Sequence, residues 1–223
     1  MAEQGAPGDL NTHGQQNIRY WAAWMAVTAA AFLFADVPLA RALSGFSTNW
    51  LKVEPIHEMI LIARYYGQAY CIAILLVLLF VTQRTRWREL ARMAIGLALA
   101  ALVVNLAKDT SGRARPEVFL AGDPAWQFFG GFQTSQYASF PSAHTMSAFA
   151  LSGALAAMYP KGRPVFFAAA AACGLTRILD NQHYLSDVVA GGVLGWWIGA
   201  GALRWRWTAK IAERLFPARA AQG

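Results

Sequence analysis

The chain alternates apolar runs with short polar segments. Six runs contain no Asp, Glu, Lys or Arg, and they cover about residues 20–35, 68–82, 93–107, 145–159, 165–175 and 188–203. Several are shorter than the ~20 residues that a helix needs to cross the apolar part of a bilayer, so flanking residues must extend them. The pattern predicts an all-α integral membrane protein built as a bundle of six transmembrane helices.

The polar segments divide the rest of the chain. Residues 1–18 contain no apolar run and are predicted to be a disordered tail, followed by a membrane domain over 19–208 and a basic cytoplasmic tail over 209–223. The first run ends at Ala35 or extends to Ala40, because Asp36 and Pro38 weaken its end. Residues 41–67 mix charged and apolar side chains, which predicts a helical connection lying in the headgroup zone.

Composition supports a membrane location. Hydrophobic residues make up 57% of the 223 residues and charged residues 14%, a balance that excludes an ordinary soluble domain. The net charge of +7 is typical of cytoplasmic loops and contact with anionic lipid, and it does not indicate nucleic acid binding. The Ala-rich spans and small size suggest a bacterial plasma (inner) membrane protein.

The positive charges have an asymmetric distribution. The loops after the second, fourth and sixth runs are the basic ones, so the positive-inside rule places them and both termini in the cytoplasm. The other loops then face outward, although they carry Lys108, Arg113, Arg115 and Arg177. Positive charge placed against the topological bias indicates a function on the outer side.

His183 and Asp187 lie four residues apart at the entry to the sixth run. On a helix they share one face. A carboxylate that accepts a proton from one imidazole nitrogen fixes the tautomer, leaves a lone pair on the other nitrogen and stabilises the imidazolium. The pair therefore predicts an activated histidine nucleophile, although such pairs are also common on helix surfaces.

A second candidate element is the Pro-Ser-Ala-His sequence at the start of the fourth run. Ser142 is a plausible N-cap after Pro141, and a helix N-terminus favours a phosphate through its unpaired N–H groups and its dipole. His144 is placed to donate a proton to a leaving oxygen. By itself this short pattern is weak evidence.

Three cations complete a predicted phosphate site. Lys108 and Arg115 flank a short turn, and Arg177 lies six residues before His183. Arginine binds two phosphate oxygens at once and lysine adds a point charge, which together stabilise a transferring phosphoryl group. The sequence offers no carboxylate cluster or His/Cys ligand spacing, so neither a metal nor another cofactor is predicted.

Two further patterns each allow two interpretations. The connection over 109–140 is long and rich in aromatic residues, which predicts either ordinary interfacial anchoring or a border for a lipid tail. Gly191, Gly195 and Gly199 recur every four residues and predict a close-packing face, within the bundle or between protomers.

These motifs resemble those of the type-2 phosphatidic acid phosphatase superfamily. That family shows Lys-x6-Arg-Pro, Pro-Ser-Gly-His and Ser-Arg-x5-His-x3-Asp. The matching residues are Lys108, Arg115 and Pro116; Pro141, Ser142 and His144; and Arg177, His183 and Asp187. Agreement at nine positions in one order and register is far more specific than a single short motif. The resemblance covers residues 108–187 directly.

The resemblance implies a metal-independent lipid phosphatase. His183 would be the nucleophile that forms a phosphohistidine, His144 the general acid, and Asp187 the residue that orients His183. Lys108, Arg115, Ser142 and Arg177 would bind the phosphate. The partners implied are a phosphorylated membrane lipid and the bilayer, and a homo-oligomer stays open.

Two positions depart from the family pattern. Ala143 stands where the family has Gly, and Thr176 where it has Ser. A Gly position with positive φ would make Ala cost roughly 1 kcal/mol or more, whereas a position in the first helical turn would accept Ala without strain. Thr176 keeps the hydroxyl group.

Three functional hypotheses follow from the residues. The first is hydrolysis of a lipid phosphate or diphosphate at the outer membrane face, with phosphatidic acid, phosphatidylglycerol phosphate, undecaprenyl diphosphate and lipid A as candidate substrate types. The second is a phosphotransferase that uses the same residues but passes the phosphoryl group to another lipid. The third is a transporter or silent phospholipid-binding protein, which the scarcity of ionisable residues within the spans disfavours.

Overall fold

The computed structural model describes residues 9–44 and 53–215, and these residues are predominantly helical. The helices are α1 Asp9–Ala30, α2 Asp36–Ser44, α3 Ile56–Tyr65, α4 Ala69–Thr82, α5 Trp87–Ser111, α6 Pro116–Leu120, α7 Ala143–Met158, α8 Arg163–Leu179, α9 Leu185–Ala202 and α10 Arg206–Leu215. A π-helical turn, Ala31–Ala35, joins α1 to α2. The predicted all-α class is confirmed.

Three helical segments are long and apolar enough to cross a membrane. They are Arg19–Ser44, Arg84–Ser111 and Leu185–Ala202, and a fourth span results if α3 and α4, which meet at a 60° bend, cross as one. At 16 and 17 residues, α7 and α8 are shorter. The structure therefore supports a multi-pass membrane protein, while the count of six helices stays a prediction.

Helix α7 lies at the centre of the bundle and packs most closely against α9. A Cβ atom added to Gly191, Gly195 or Gly199 would come within 2.7 Å of a backbone oxygen of α7. Only glycine permits this approach, because a larger side chain would push the helix backbones apart. The glycine face is thus used within the bundle, which decides between the two alternatives left open by the sequence.

The basic loops meet at one end of the bundle. Arg86 donates to the carbonyl of Met158 at the end of α7, and Arg92 donates to the carbonyl of Ala202 at the end of α9 (3.2 Å). Helices α7 and α9 run parallel to each other and antiparallel to α5, so the opposite end of the bundle gathers the end of α5 and the starts of α7 and α9. The predicted site residues lie at that opposite end.

The structure adds to or differs from the sequence predictions in three segments. Helix α1 begins at Asp9, so part of the predicted disordered tail over 1–18 is helical, and α10 likewise continues to Leu215 within the predicted tail over 209–223. The segment predicted to lie in the headgroup zone, 41–67, is split: α3 packs on α8, and the Tyr66 hydroxyl contacts Ser152 Oγ at 2.8 Å. Residues 1–8, 45–52 and 216–223 lie outside the described part of the chain.

Candidate active site

Four segments converge at the end of the bundle opposite the basic loops. They are the end of α5 with the turn after it, the start of α7, the end of α8 and the start of α9. The N-termini of α7 and α9 both point their positive dipole ends at this region, an arrangement that favours an anion. All seven predicted site residues lie within these segments.

His183 is buried between α8 and α9, and its tautomer follows from its hydrogen-bond partner. The ring Nδ1 lies 2.8 Å from the backbone carbonyl of Ser139. A carbonyl can only accept, so Nδ1 carries the proton and Nε2 keeps a lone pair. Burial lowers the pKa of His183 to about 4 against the opposing influence of Asp187, which keeps the ring neutral at neutral pH.

Asp187 acts on His183 less directly than the sequence predicts. Its carboxylate accepts from Arg113 Nη1 (2.5 Å), Ser139 Oγ (2.6 Å) and the backbone N–H of Tyr184 (3.0 Å). These donors occupy its oxygens, and Oδ2 lies 3.6 Å from His183 Nδ1, beyond hydrogen-bond distance. The structure thus corrects the predicted direct bond. Asp187 accepts a hydrogen bond from Ser139 Oγ, and the Ser139 carbonyl accepts one from the His183 ring.

A second buried carboxylate supports this arrangement. Asp36, at the start of α2, accepts from Arg113 Nη2 (2.7 Å) and from the backbone N–H (2.9 Å) and hydroxyl (2.5 Å) of Ser186. The Arg113 guanidinium also lies 4.0 Å from the centre of the Tyr184 ring. Arg113 is therefore paired with two carboxylates, Asp36 and Asp187, and links the first helical segment to the start of α9.

Sequence reasoning missed this role of Asp36 and Arg113. The available signal was the single carboxylate at the end of the first apolar run, because ionisable groups within a membrane are costly unless they are paired or functional. The role of Ser139 had no such signal, since its contact with the histidine is made by a backbone carbonyl that every residue possesses.

Two of the predicted phosphate-binding cations are held by backbone and amide oxygens. Lys108 Nζ donates to the carbonyl of Ala138 (2.6 Å), and Arg115 Nε donates to that of Ser135 (2.9 Å). A second nitrogen of Arg115 donates to the side chain of Gln182. None of these partners is an anion, so the two side chains are positioned while their positive charge stays available to a ligand.

Arg177 and His144 each have a buried side-chain nitrogen that makes no hydrogen bond. Arg177 Nη1 pairs with Asp180 at 2.9 Å. Among the residues that the structure describes, three buried side-chain nitrogens have no hydrogen-bond partner, namely Arg64 Nε, His144 Nε2 and Arg177 Nε. Unpaired buried polar atoms are costly, and an anion bound at the site would supply acceptors for His144 and Arg177.

The structure shows the surroundings of Ala143 and Thr176, the two residues that depart from the family pattern. Ala143 is the first residue of the helix, so its methyl group introduces no backbone strain. Ser142 occupies the N-cap position, but its hydroxyl accepts from Thr145 Oγ1 (2.9 Å) instead of capping the helix. The hydroxyl of Thr176 donates to the carbonyl of Cys173 within α8 (2.7 Å).

The long connection over 109–140 folds back onto the site. Gly112 has a φ of +62°, and a side chain there would collide with the backbone of Gln127. Arg115 N–H donates to the Gln136 carbonyl (2.9 Å), and Ser139 N–H donates to that of residue 113 (3.0 Å). The connection therefore positions both Arg115 and the Ser139 carbonyl that contacts His183.

Apolar surfaces border this region. Phe128, Phe129 and Phe132 of the connection are exposed. A cavity of about 490 Å³ lies between α1 and α9; Trp24, Phe32 and Leu194 are among its apolar walls, and Arg113 and Ser186 also line it. Such surfaces suit a site whose ligand is partly apolar.

Comparison with known proteins places this geometry in context. The profile of the PAP2 superfamily matches residues 89–211. A lipid A 1-phosphatase from Rhizobium etli is 31% identical over 195 residues, which are 79% of this chain and 81% of that protein. A lipid phosphate phosphatase 1 from Arabidopsis thaliana is 29% identical over 61% of this chain and 51% of its own length.

Two solved structures share the fold. The crystal structure of Aquifex aeolicus LpxE has a TM-score of 0.60 and 21% identity, covering 76% of this chain and 95% of that one. The first transmembrane PAP2 type phosphatidylglycerolphosphate phosphatase from Bacillus subtilis has a TM-score of 0.59 and 18% identity, covering 91% and 98%. At these identities the likeness concerns the fold.

Proposed function

Because this chain belongs to the PAP2 superfamily and is a membrane lipid phosphatase, we propose that it hydrolyses a phosphorylated lipid through a phosphohistidine at His183. The observation that carries the proposal is the tautomer of this ring. With Nδ1–H bonded to the Ser139 carbonyl, the lone pair of Nε2 is the nucleophilic one. Formation of the N–P bond makes the ring positive, and nearby Asp187 stabilises that charge.

The surrounding residues supply the remaining steps. Lys108, Arg115 and Arg177 hold the phosphoryl oxygens and balance charge that accumulates in the transition state, as Mg²⁺ does in other phosphoryl-transfer sites. His144 gives a proton to the leaving oxygen, and water then cleaves the N–P bond to release phosphate. No step of this scheme needs a metal ion.

The substrate that we propose first is the 1-phosphate of a lipid A type molecule. The relative from Rhizobium etli, which aligns over most of both chains, is a lipid A 1-phosphatase. The apolar cavity and the exposed phenylalanines of the 109–140 connection offer surfaces for acyl chains next to the phosphate site. Phosphatidylglycerol phosphate is the second candidate, because the Bacillus subtilis structure of the same fold is named for that activity.

We further propose that the site faces the periplasm, with six membrane-crossing helices and both termini in the cytoplasm. The separation of the basic loops from the site by the length of the bundle supports this orientation, since positively charged loops stay in the cytoplasm. In this arrangement α7 crosses the membrane as the innermost helix of the bundle and α8 crosses at its side, with Val165, Phe167 and Leu175 exposed.

The test is phosphate release by the detergent-purified protein from a panel of lipid phosphates in the presence of EDTA. We expect turnover that survives EDTA and that falls by more than about a thousandfold in His183→Ala. His57→Ala, which alters a histidine outside the motifs, is the matched control. Retained turnover in His183→Ala contradicts the mechanism.

Labelled substrate separates hydrolysis from transfer. With a ³²P-labelled lipid, we expect free phosphate as the final product and a transient label on the protein that is stable to alkali and lost in acid. Label appearing on a second lipid would instead identify the phosphotransferase reaction.

A further inference from the structure

Arg64 lies beside the predicted general acid although it belongs to none of the three motifs. It is in the last turn of α3, immediately before the bend into α4. Gly67 makes the approach possible, because a Cβ there would collide with the His144 carbonyl and with Cys173 Sγ. The bend between α3 and α4 therefore rests on the backbone at the start of α7.

The Arg64 guanidinium is incompletely paired. Its Nε is buried without a hydrogen-bond partner, and its Nη1 lies 3.9 Å from Asp180 Oδ2. The same oxygen accepts from Arg177 at 2.9 Å, which is the closer contact. One carboxylate cannot neutralise two guanidinium groups, so these three side chains together carry one net positive charge.

This charge lies on the side of the site where the leaving group departs. The charges of Arg64 and Arg177 both act on the His144 imidazole, and the two guanidiniums also act on each other. In the proposed mechanism His144 protonates the leaving oxygen. The Arg64 side chain is 37% exposed, so part of the guanidinium is accessible to a ligand.

We propose that Arg64 forms a second anion subsite, which binds the inner phosphate of a lipid diphosphate while the outer phosphate is attacked. The proposal rests on the proposed function and extends its substrate class. The monophosphate of an isoprenoid alcohol leaves the subsite empty, because its leaving group is uncharged. A diphosphate places an anionic group there and satisfies the unpaired Nε.

The reaction balances with water as the co-substrate. The bond from His183 Nε2 to the outer phosphorus forms as the bond from that phosphorus to the bridging oxygen breaks. The bridging oxygen leaves with the electron pair and takes a proton from His144, which gives a lipid monophosphate. Water then cleaves the N–P bond, which releases inorganic phosphate and returns the proton to His144.

The test compares farnesyl diphosphate with farnesyl monophosphate, two substrates that differ by one phosphate. For Arg64→Gln we expect the KM for the diphosphate to rise about tenfold, while kcat for both substrates and the KM for the monophosphate stay within about twofold. Arg64→Lys should restore part of the diphosphate affinity, because it restores the charge without the bidentate geometry.

Arg84→Gln is the matched control, since Arg84 is exposed beside the loop at the opposite end of the bundle. A binding measurement adds a readout that does not depend on turnover: inorganic pyrophosphate should inhibit monophosphate hydrolysis more weakly in Arg64→Gln, whereas inhibition by inorganic phosphate should not change.

Three outcomes overturn the proposal. Equal losses on both substrates would assign Arg64 to the transferring phosphoryl group or to the fold. Unchanged kinetics on both would leave it without a role in binding. Absence of phosphate release from every lipid by the unaltered protein would overturn the proposed function, and the second subsite with it.

Discussion

The state of a single imidazole decides whether the site can react. In the proposed mechanism His183 must be neutral to attack phosphorus, and its burial lowers its pKa to about 4 from an ordinary value of 6.5. Since the unfolded chain takes up this proton near pH 6.5 and the folded chain near pH 4, folding stability should fall as the pH drops through this window.

We therefore predict that acid destabilises the unaltered protein more than it destabilises the His183→Gln variant. Between pH 7 and pH 4.5 we expect the thermal unfolding midpoint of the detergent-solubilised protein to fall further than that of His183→Gln, whose side chain does not titrate. Both proteins share all other carboxylates and histidines, so their effects cancel in the comparison. Parallel decreases would show that the ring is not held neutral by burial.

The motifs identify which residues lie at the candidate site, but they do not predict which atoms those residues contact. Lys108, Arg115 and the two motif histidines lie where their spacing predicts. Ser139 does not stand out in the sequence, because the group that contacts His183 is a backbone carbonyl. Asp187 was expected to bond the ring directly, but it accepts from Arg113, and that contact depends on how the connection over 109–140 folds.

At the scale of elements, the first helical segment is part of the active-site structure. Asp36 reaches from the start of α2 to Arg113 and Ser186, and it lies outside the part of the chain matched by the family profile. Without the Asp36 charge, Arg113 stays paired with Asp187, but Arg113 and Ser186 lose a charged acceptor, and a hydrogen bond to a charged group typically contributes about 1.5–3 kcal/mol.

Asp36→Asn tests this link. We expect a lower unfolding temperature, and in the folded fraction a kcat reduced by about tenfold or more with a smaller change in KM, because Arg113 no longer holds Asp187 firmly. Asp123→Asn, at an exposed position, is the control. The double variant Asp36→Asn/Arg113→Met also leaves the buried Asp187 without its cationic partner, so it should be less stable than Asp36→Asn and no more active. Full activity in Asp36→Asn would make Asp36 a purely structural residue.

The apolar pattern predicts most elements because burial in lipid depends chiefly on composition. The apolar pattern fails where contacts between helices determine the position of a segment. The mixed segment 41–67 has the charges of a surface helix, yet α3 packs on α8, since Gly67 admits the backbone of α7. The first run was expected to weaken at Asp36, but the helical path continues to Ser44 because that carboxylate is paired with Arg113.

At the scale of the whole molecule, the basic loops and the candidate site lie at opposite ends of the bundle. Arg86 and Arg92 bind the ends of α7 and α9 at one pole, and the reactive histidine lies at the other. Because positive loops resist translocation, this polarity favours a periplasmic site more strongly than a count of spans does. The count depends on α7 and α8, whose ~24–26 Å lengths fall short of the ~30 Å apolar layer.

Cysteine labelling tests this orientation directly. In a Cys71→Ser background, Asp123→Cys lies in the connection at the catalytic pole and Lys161→Cys in the loop between α7 and α8, and both positions are exposed. A membrane-impermeant maleimide applied to intact spheroplasts should label Asp123→Cys and should reach Lys161→Cys only after permeabilisation. The reverse pattern would place phosphate release in the cytoplasm. Equal labelling of both before permeabilisation would contradict a bundle that spans the membrane between its two poles.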